Sequence, residues 1–580
     1  VSVLCIRRRE VDAAALASGW PAQMPQALRR IYAARGVTDA KTLAHRLAQM
    51  HAPDSLTGLD AAATRLADAI DANQSIVIAG DYDCDGATGV AVAVRGLRLL
   101  GARQVSYVVP NRFEHGYGLS PALVASLTTT PDLIVTVDNG IASVSGVAAA
   151  AERGIDVVVT DHHLPGQTLP KAAAIVNPNL PGDDFPSKAL AGVGVMFYVL
   201  LALRGELVRR GRFSREQAPD LRVLLDLVAL GTVADLVALD RNNRILVDAG
   251  MRRMRGGLAC AGIAALAEAS QRRLETLVAS DLGFALAPRL NAAGRLEDMT
   301  LGVECLLTED AGRARELAEL LSQINAERRE LQATMVADAE LMVARAATPP
   351  AEVRGVALFD ESWHPGVVGL VASRLKERLH RPVVAFAPAD EGSADLRGSA
   401  RSIPGFHIRD ALAEVDARHP GLMGPFGGHA MAAGLSLSGA RLDEFSAAFD
   451  AVARERIAEE ALQPVLWTDG ELAVDDFHME LAHALRYAGP WGQAFPEPVF
   501  DNVFECIDHR PMGRAHRRFK LRDPRNGAVH EAVMFNVDLN RAPPYHLHAA
   551  YELTINDWQG RQSLRLLLRH VQDARDRAPV

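Results

Sequence analysis

Three short apolar runs each end on an aspartate, and this constrains the fold of the chain more than any other feature. Ser75–Ala79 runs into Gly80-Asp81, Asp132–Val137 into Asp138, and Ile155–Thr160 into Asp161. Runs this short, with almost no polar alternation, read as strands buried on both faces. Helical periodicity at Gly89–Leu100 follows the first, another strand is expected at Gln104–Val109, and a helix at Ser143–Arg153 precedes the third. Strands and helices alternating in this way build βαβ units and a parallel sheet, with doubly wound topology the natural arrangement. Open sheets of this kind bind ligands at the carboxyl ends of their strands, where the aspartates stand.

The rest of the 580 residues needs further domains, because one ordinary core does not grow so large. Residues 1–60 are Ala-rich and read as helical, with turn signals at Gly19, Pro21, Pro25 and Gly36. From about 186 to 345 the chain reads mainly as helix. A long charged helix is expected over 303–347, ended by Pro349-Pro350. A second α/β segment follows, with strands near Arg354–Phe359 and Pro382–Phe386 and a helix at Val367–Leu379. Beyond 465 the alternation becomes β-type, in Phe500–Ile507, Arg517–Leu521, His530–Phe535 and Ala549–Ile555, which suggests a small β-barrel. The expected division is a helical segment 1–60, a parallel-sheet domain 61–300, a connector 301–348, a second α/β domain 349–460 and a barrel 465–580.

Composition excludes several classes. Cys5, Cys84, Cys260, Cys305 and Cys506 are scattered and never form C-x-x-C, which argues against a disulfide framework and a cysteine zinc site. The longest uncharged apolar stretch, Ala189–Leu203, is too short to span a bilayer. Val1–Glu10 turns basic at Arg7-Arg8-Arg9 and does not read as a secretory signal, so a cytoplasmic protein with no membrane role is expected. A net charge of −9 does not announce a nucleic-acid binder, but a local basic surface can sit on an acidic protein.

Gly80-Asp81-Tyr82-Asp83-Cys84-Asp85-Gly86 crowds three carboxylates at a strand end. They repel one another unless cations neutralise them. An EF-hand loop begins similarly, but its twelfth position would be Val92 instead of Glu, and the segment before it is strand-like. A plain acidic turn is the other reading of this segment taken alone. Val137-Asp138-Asn139-Gly140 and Thr160-Asp161-His162-His163 at neighbouring strand ends weigh against it, and Gly231-Thr232-Val233-Ala234-Asp235 adds a further carboxylate. Carboxylate and imidazole together favour Mn²⁺ or a similar ion, with Mg²⁺ as the alternative. The candidates outnumber the ligands of one ion, so two ions bridged by Asp138 are expected, an arrangement suited to hydrolysing phosphodiesters.

Together these segments resemble the DHH phosphoesterase superfamily, and within it the RecJ single-strand-specific exonucleases, over nearly the whole chain. The resemblance makes Asp83, Asp85, Asp138, His162 and Asp235 metal ligands, Asp81 a ligand or neighbour of one, and places His163 at the scissile phosphate. Some relatives carry His at the position of Ala79, and Ala is commoner at that of Cys84. Gly427-Gly428-His429 resembles the marker of the DHH-associated domain, where glycines admit a phosphate to backbone N–H groups. Arg401 resembles the family's anchor of a terminal 5′ phosphate, with the hydroxyl of Ser399 nearby and Arg112 as a helper. Arg289, in Arg289-Leu290-Asn291-Ala292-Ala293-Gly294-Arg295, belongs either to the substrate cleft or to a structural ion pair.

Arg510, Arg514, Arg517, Arg518 and Lys520, with Phe519 among them, give a basic strand with an aromatic residue. That combination fits single-strand binding by backbone attraction and base stacking in an OB-fold, and a solvated charged edge strand is the competing reading. The implied activity is 5′-to-3′ hydrolysis of single-stranded DNA to 5′ mononucleotides, by a monomer acting in recombination and repair. Single-strand-binding protein and a RecQ-type helicase are the implied partners. The rival readings are a DHH enzyme on short oligonucleotides, cyclic dinucleotides or pyrophosphate, and a non-catalytic replication scaffold related to Cdc45.

Overall fold

The computed structural model describes residues 4–17, 19–111, 114–345, 352–390, 392–513 and 515–576. They form two compact units, Arg9–Asn325 with Asp469–Val580, and Val1–Arg8 with Ala326–Thr468. Within the latter, β1 (Cys5–Arg8) pairs in parallel with a strand at Val465–Thr468, so the first residues are extended where helix was expected.

In the larger unit, β2 (Ile76–Ala79), β3 (Val105–Val108), β4 (Leu133–Val137), β5 (Asp156–Thr160) and β6 (Ala174–Val176) form a parallel sheet in the order β3-β2-β4-β5-β6. Alternate residues serve opposite cores. Ile76, Ile78, Val135 and Val158 pack with helices Leu59–Asp71, Cys84–Leu99 and Gly192–Arg209. Val77, Ala79, Ile134 and Val159 pack with Pro121–Ser126 and Val144–Glu152. Burial on both faces is why these strands are apolar throughout, and the doubly wound expectation holds. The chain reverses its winding between β2 and β4, and such a switch opens a crevice at the strand ends.

The smaller unit contains β7 (Val356–Phe359), β8 (Val383–Pro388), β9 (Asp395–Arg401), β10 (Phe426–Gly428) and β11 (Ala432–Ser438). These join in the order β10-β11-β9-β8-β7 over a core that includes Phe386, Phe445 and Phe449. Only β7 and β8 run parallel. The strand that pairs with β1 is β12 (Val465–Thr468).

The C-terminal barrel belongs to the larger unit. It closes through β13 (Phe500–Met512), β14 (His516–Arg522), β15 (Val529–Phe535), β17 (Arg561–Asp573) and β16 (His546–Trp558), with β15 and β17 the parallel pair. A five-stranded closed barrel of this kind is the OB arrangement. Its last strand is not among the four legible in the sequence.

The expected helix over 303–347 is two helices, Thr300–Leu307 and Ala311–Arg345. Asp310 breaks it, its side chain accepting from the backbone N–H of Arg313 at 2.8 Å, as a helix cap does. Pro349-Pro350 lies outside the described residues. Among the described residues, no helix is long and apolar enough to cross a membrane.

Candidate metal centre

The first acidic motif turns from β2 directly into helix Cys84–Leu99. Asp83 caps that helix, accepting from Gly86 N–H at 3.0 Å. Gly86 has to be glycine, since a Cβ there would lie 2.5 Å from the Asp81 carbonyl oxygen. Asn291 accepts from the Cys84 N–H at 2.8 Å. Asp85 is completely buried and accepts from Gly192 N–H at 2.7 Å and Val193 N–H at 3.0 Å, at the start of helix Gly192–Arg209. That helix end faces a carboxylate, the sign its dipole favours.

Asp138 follows β4 with φ of +63°, a left-handed conformation that costs a residue with a Cβ about 1–2 kcal/mol. Such strain collects at functional sites. The next residue fixes the turn: Asn139 Nδ2 donates to the carbonyls of Ala79 and Val137, joining the ends of β2 and β4.

The third motif is pinned from within. Asp161 accepts from the N–H groups of Ile141, His162 and His163, and lies 2.8 Å from Nδ1 of His163. Asn179 and Asn177 donate to the carbonyls of His162 and His163. The His163 ring and the backbone of both histidines are thereby fixed. Nε2 of His162 lies 3.0 Å from Oδ1 of Asp138 and 3.5 Å from Oδ2 of Asp235.

Three groups of side chains bring ligand atoms within 4.8 Å of one another: Asp81, Asp83 and Asp138; Asp85, His162 and Asp235; and Asp138, His162 and His163. Every residue expected to bind metal is in one of them, and Asp138 and His162 are each in two.

The electrostatics call for a cation. Burial and the neighbouring Asp85 and Asp83 push the Asp138 carboxyl far above the carboxylate range, and burial and Asp85 do the same to Asp235. Asp85 is pushed up to about 7 by burial and then by Asp83, against the pull of the two backbone N–H groups. Oδ1 of Asp138 is buried and accepts no hydrogen bond. Oxygen and imidazole donors of this sort fit a divalent ion. His163 behaves oppositely. Burial disfavours its charge, but the Asp161 hydrogen bond and the surrounding carboxylates outweigh that and raise it to about 9, so it stands as a cation.

Cys84 is fully buried in the core, and burial beside Asp83 and Asp85 pushes its thiol far up, so it remains protonated. Ala79 is likewise enclosed, in the opposite layer.

Several residues escape the sequence reading. Asp161 is visible there as part of a motif but not as the anchor of both histidines. Tyr117 places its hydroxyl 3.4 Å from each ring nitrogen of His163 and 3.4 Å from the Asp138 carbonyl. The glycines on either side of Tyr117 are its only local signal. Asn139 is visible as part of a motif but not as the tie between β2 and β4, and Gly192 touches the site through backbone geometry that no motif announces.

The phosphate-binding candidates fall in different places. Arg289 donates to Ser322 Oγ at 2.9 Å and to the carbonyls of Ala285 and Ala269, a structural set of contacts. Arg112 lies outside the described residues. In the smaller unit, Arg401 Nη1 donates to Ser399 Oγ at 2.9 Å and to the Ala400 carbonyl at 2.8 Å. A methyl group at Gly369 would lie 2.8 Å from Arg401 Nη2 and 2.9 Å from Ser399 Oγ, so this glycine makes room for both. Gly427, Gly428 and His429 are exposed at the β10–β11 turn, with Gly428 at φ of +141°.

The barrel corrects one expectation. Phe519 is 2% exposed and belongs to the core, so it offers no face to a base. Arg517 points the same way and is engaged by the carbonyls of Arg541 and Leu539. Strand alternation is the reason: Arg517, Phe519 and Leu521 face inward, while Arg518, Lys520 and Arg522 face water. Arg510 is exposed beside Asp508, and Arg514 lies outside the described residues.

Carboxylates and imidazoles converging at the switch point of a doubly wound sheet, with a mixed-sheet domain and an OB barrel on the same chain, define a metal-dependent phosphoesterase of the DHH class. Residues 75–232 match the DHH family N-terminal domain, 352–455 the DHHA1 domain and 468–570 the RecJ OB domain. The chain is 50% identical over 562 residues to the single-stranded-DNA-specific exonuclease RecJ of Dickeya dadantii, covering 95% of this chain and 96% of that protein. It is 47% identical over 576 residues to RecJ of Escherichia coli, covering 98% of each. The crystal structure of RecJ in complex with Mn²⁺ from Thermus thermophilus matches with a TM-score of 0.78 at 30% identity, over 99% of this chain and 79% of that one. The chain belongs to the RecJ family of single-stranded-DNA-specific exonucleases.

Proposed function

We propose that this chain is a 5′-to-3′ exonuclease specific for single-stranded DNA, which hydrolyses phosphodiester bonds and releases 5′ mononucleotides. The observation that carries the reading is Asp138, a buried carboxylate common to two of the ligand groups. Two divalent cations would be held there, Mn²⁺ in preference to Mg²⁺. Asp81, Asp83 and Asp138 would hold one, and Asp85, His162 and Asp235 the other, with Asp138, whose Oδ1 lies 3.0 Å from Nε2 of His162, as the carboxylate shared between them. Bound cations supply Lewis acidity, which activates water and offsets phosphate charge.

The chain's own groups do the rest. Asp138 and His162 keep the two ligand groups in register. His163, charged and oriented by Asp161, donates to a phosphate oxygen and stabilises the charge that develops there. Arg401 and Ser399 bind the terminal 5′ phosphate through a fork of donors and a hydroxyl. Gly427 and Gly428 let a phosphate approach the β10–β11 turn, His429 donates to it through its ring, and Arg112 assists. Arg510, Arg514, Arg518 and Lys520 attract the DNA backbone to the barrel.

In this reading residues 61–300 form the catalytic domain, 301–348 the connector, 349–460 the DHH-associated domain and 465–580 the DNA-binding barrel. The protein acts as a monomer in the cytoplasm, in recombination and repair, alongside a single-strand-binding protein and a RecQ-type helicase.

The test is product analysis on one long single strand labelled separately at each end, with Mn²⁺, Mg²⁺ or chelator, and a duplex control. Immediate release of mononucleotide from the 5′ label, with metal and single strand only, is the expected result. Cleavage confined to very short oligomers would overturn it, and so would binding without cleavage. Asp138→Ala abolishes hydrolysis and leaves DNA binding largely intact.

A further inference from the structure

We infer that the turn leading into the barrel, Gly489–Phe495, positions the carboxylate of Asp235, and that Arg244 and Phe495 are positioning residues for the Asp85–His162–Asp235 group. The inference rests on the metal reading proposed above.

Asp235 caps helix Leu225–Ala234, and a new helix starts at Arg241. The connection is not held by its own backbone preference. Leu236 takes φ of +61°, a left-handed conformation that a residue with a Cβ disfavours, and the residue is 70% exposed. Neighbours have to hold the loop.

They do so from the barrel side. The Leu239 N–H donates to the Gln493 carbonyl at 2.8 Å. Arg244 Nη1 donates to the Leu239 carbonyl at 2.7 Å, and its guanidinium sits 4.2 Å over the ring of Phe495. Phe495 is 2% exposed and stacks on Trp491 with centroids 5.2 Å apart. Arg244 is thus fixed by a ring from one segment while it grips the carbonyl of another.

A second tie joins this loop to the other carboxylate of the group. Asn243 Nδ2 donates to the carbonyls of Ala238 and Ala189, at 2.9 and 2.7 Å. Ala189 leads into Gly192, whose N–H holds Asp85. Asp85 and Asp235 therefore hang on one hydrogen-bonded frame, and the barrel's linker forms one side of it. Groups behind metal ligands commonly set affinity in this way.

The alternative is that the turn only glues the barrel to the catalytic domain. Manganese titration of the full chain, read by the electron paramagnetic resonance of free Mn²⁺, separates the two. Arg244→Met is expected to weaken one of two Mn²⁺ sites about tenfold and leave the other unchanged. Asp235→Asn should weaken the same site, and Arg244→Lys, which keeps a cation and a donor, should largely restore it.

Loss of thermal stability with both affinities at the wild-type value would show glue alone and overturn the inference. If Arg244→Met does not fold, Gly492→Ala is read by the same criteria, since its methyl group would lie 2.8 Å from Leu239 Cδ1. Wild-type protein that binds no Mn²⁺ would overturn the metal reading and this inference together. Two bound Mn²⁺ that ignore these variants would overturn the inference alone.

Discussion

A methyl group at Gly192 would fall 2.5 Å from Cβ of Asp138 and 2.8 Å from its Cα, closer than packed carbons approach. The same glycine donates its N–H to Asp85 at 2.7 Å. One backbone position thus sets the spacing of two of the carboxylates, and only the residue without a side chain fits.

Gly192→Ala is therefore expected to displace Asp138 or Asp85 and to lower kcat about 100-fold, the scale of a misplacement near 1 Å. Overpacking costs about 1–3 kcal/mol, so the variant still folds. Single-turnover cleavage beside a thermal melt checks this. Activity near wild type would mean the site tolerates the shift.

Metal removal makes stability depend on pH in a defined direction. In the folded protein Asp85 holds its proton up to about 7, against an ordinary value of 3.8. Across that window the folded state binds a proton that the unfolded chain has released, so stability falls as pH rises. In chelator, Tm should drop between about pH 4 and about pH 7, and saturating Mn²⁺ should abolish the drop. A flat Tm in chelator would contradict the crowding of charge around Asp85.

Arg401→Ala is expected to slow cleavage of 5′-phosphorylated strands about tenfold more than that of 5′-hydroxyl strands, because a charge-assisted pair is lost only with the former. Gly369→Ala should share the phenotype, since its methyl group would crowd both Arg401 and Ser399. Equal losses on both ends would remove Arg401 from the role of anchor.

The two faces of β14 should separate by experiment. Phe519→Ala is expected to cost about 3–5 kcal/mol of stability, as emptying a core site does. Arg518→Ala with Lys520→Ala should instead weaken DNA binding and reduce the steepness of its salt dependence by about 0.7 for each phosphate no longer neutralised. Denaturant unfolding checks the first, and fluorescence anisotropy across a salt series the second. An unchanged salt slope would take the outward face of β14 off the DNA path.

Much of the site is legible in the sequence because its determinants are local. Asp81, Asp138 and Asp161 each follow a strand of their own, and a strand buried on both faces has to be apolar, so the chain shows where its sheet edge is. The inward side of β14 is legible as well, from Phe519 sharing parity with Leu521, but the basic residues around it draw the reading toward DNA.

Other decisions belong to contacts far apart in the chain. The pairing of Cys5–Arg8 with Val465–Thr468 depends on a partner more than 400 residues away. Helix caps and strand runs are written in neighbouring residues and survive reading one segment at a time. Sequence alone thus determined a parallel sheet with acid and imidazole at its edge. Tertiary structure decided that Asn139 ties the end of β4 to that of β2, that Gly192 spaces the carboxylates and that Phe519 fills a core, because each depends on which distant backbone arrives within a few ångströms.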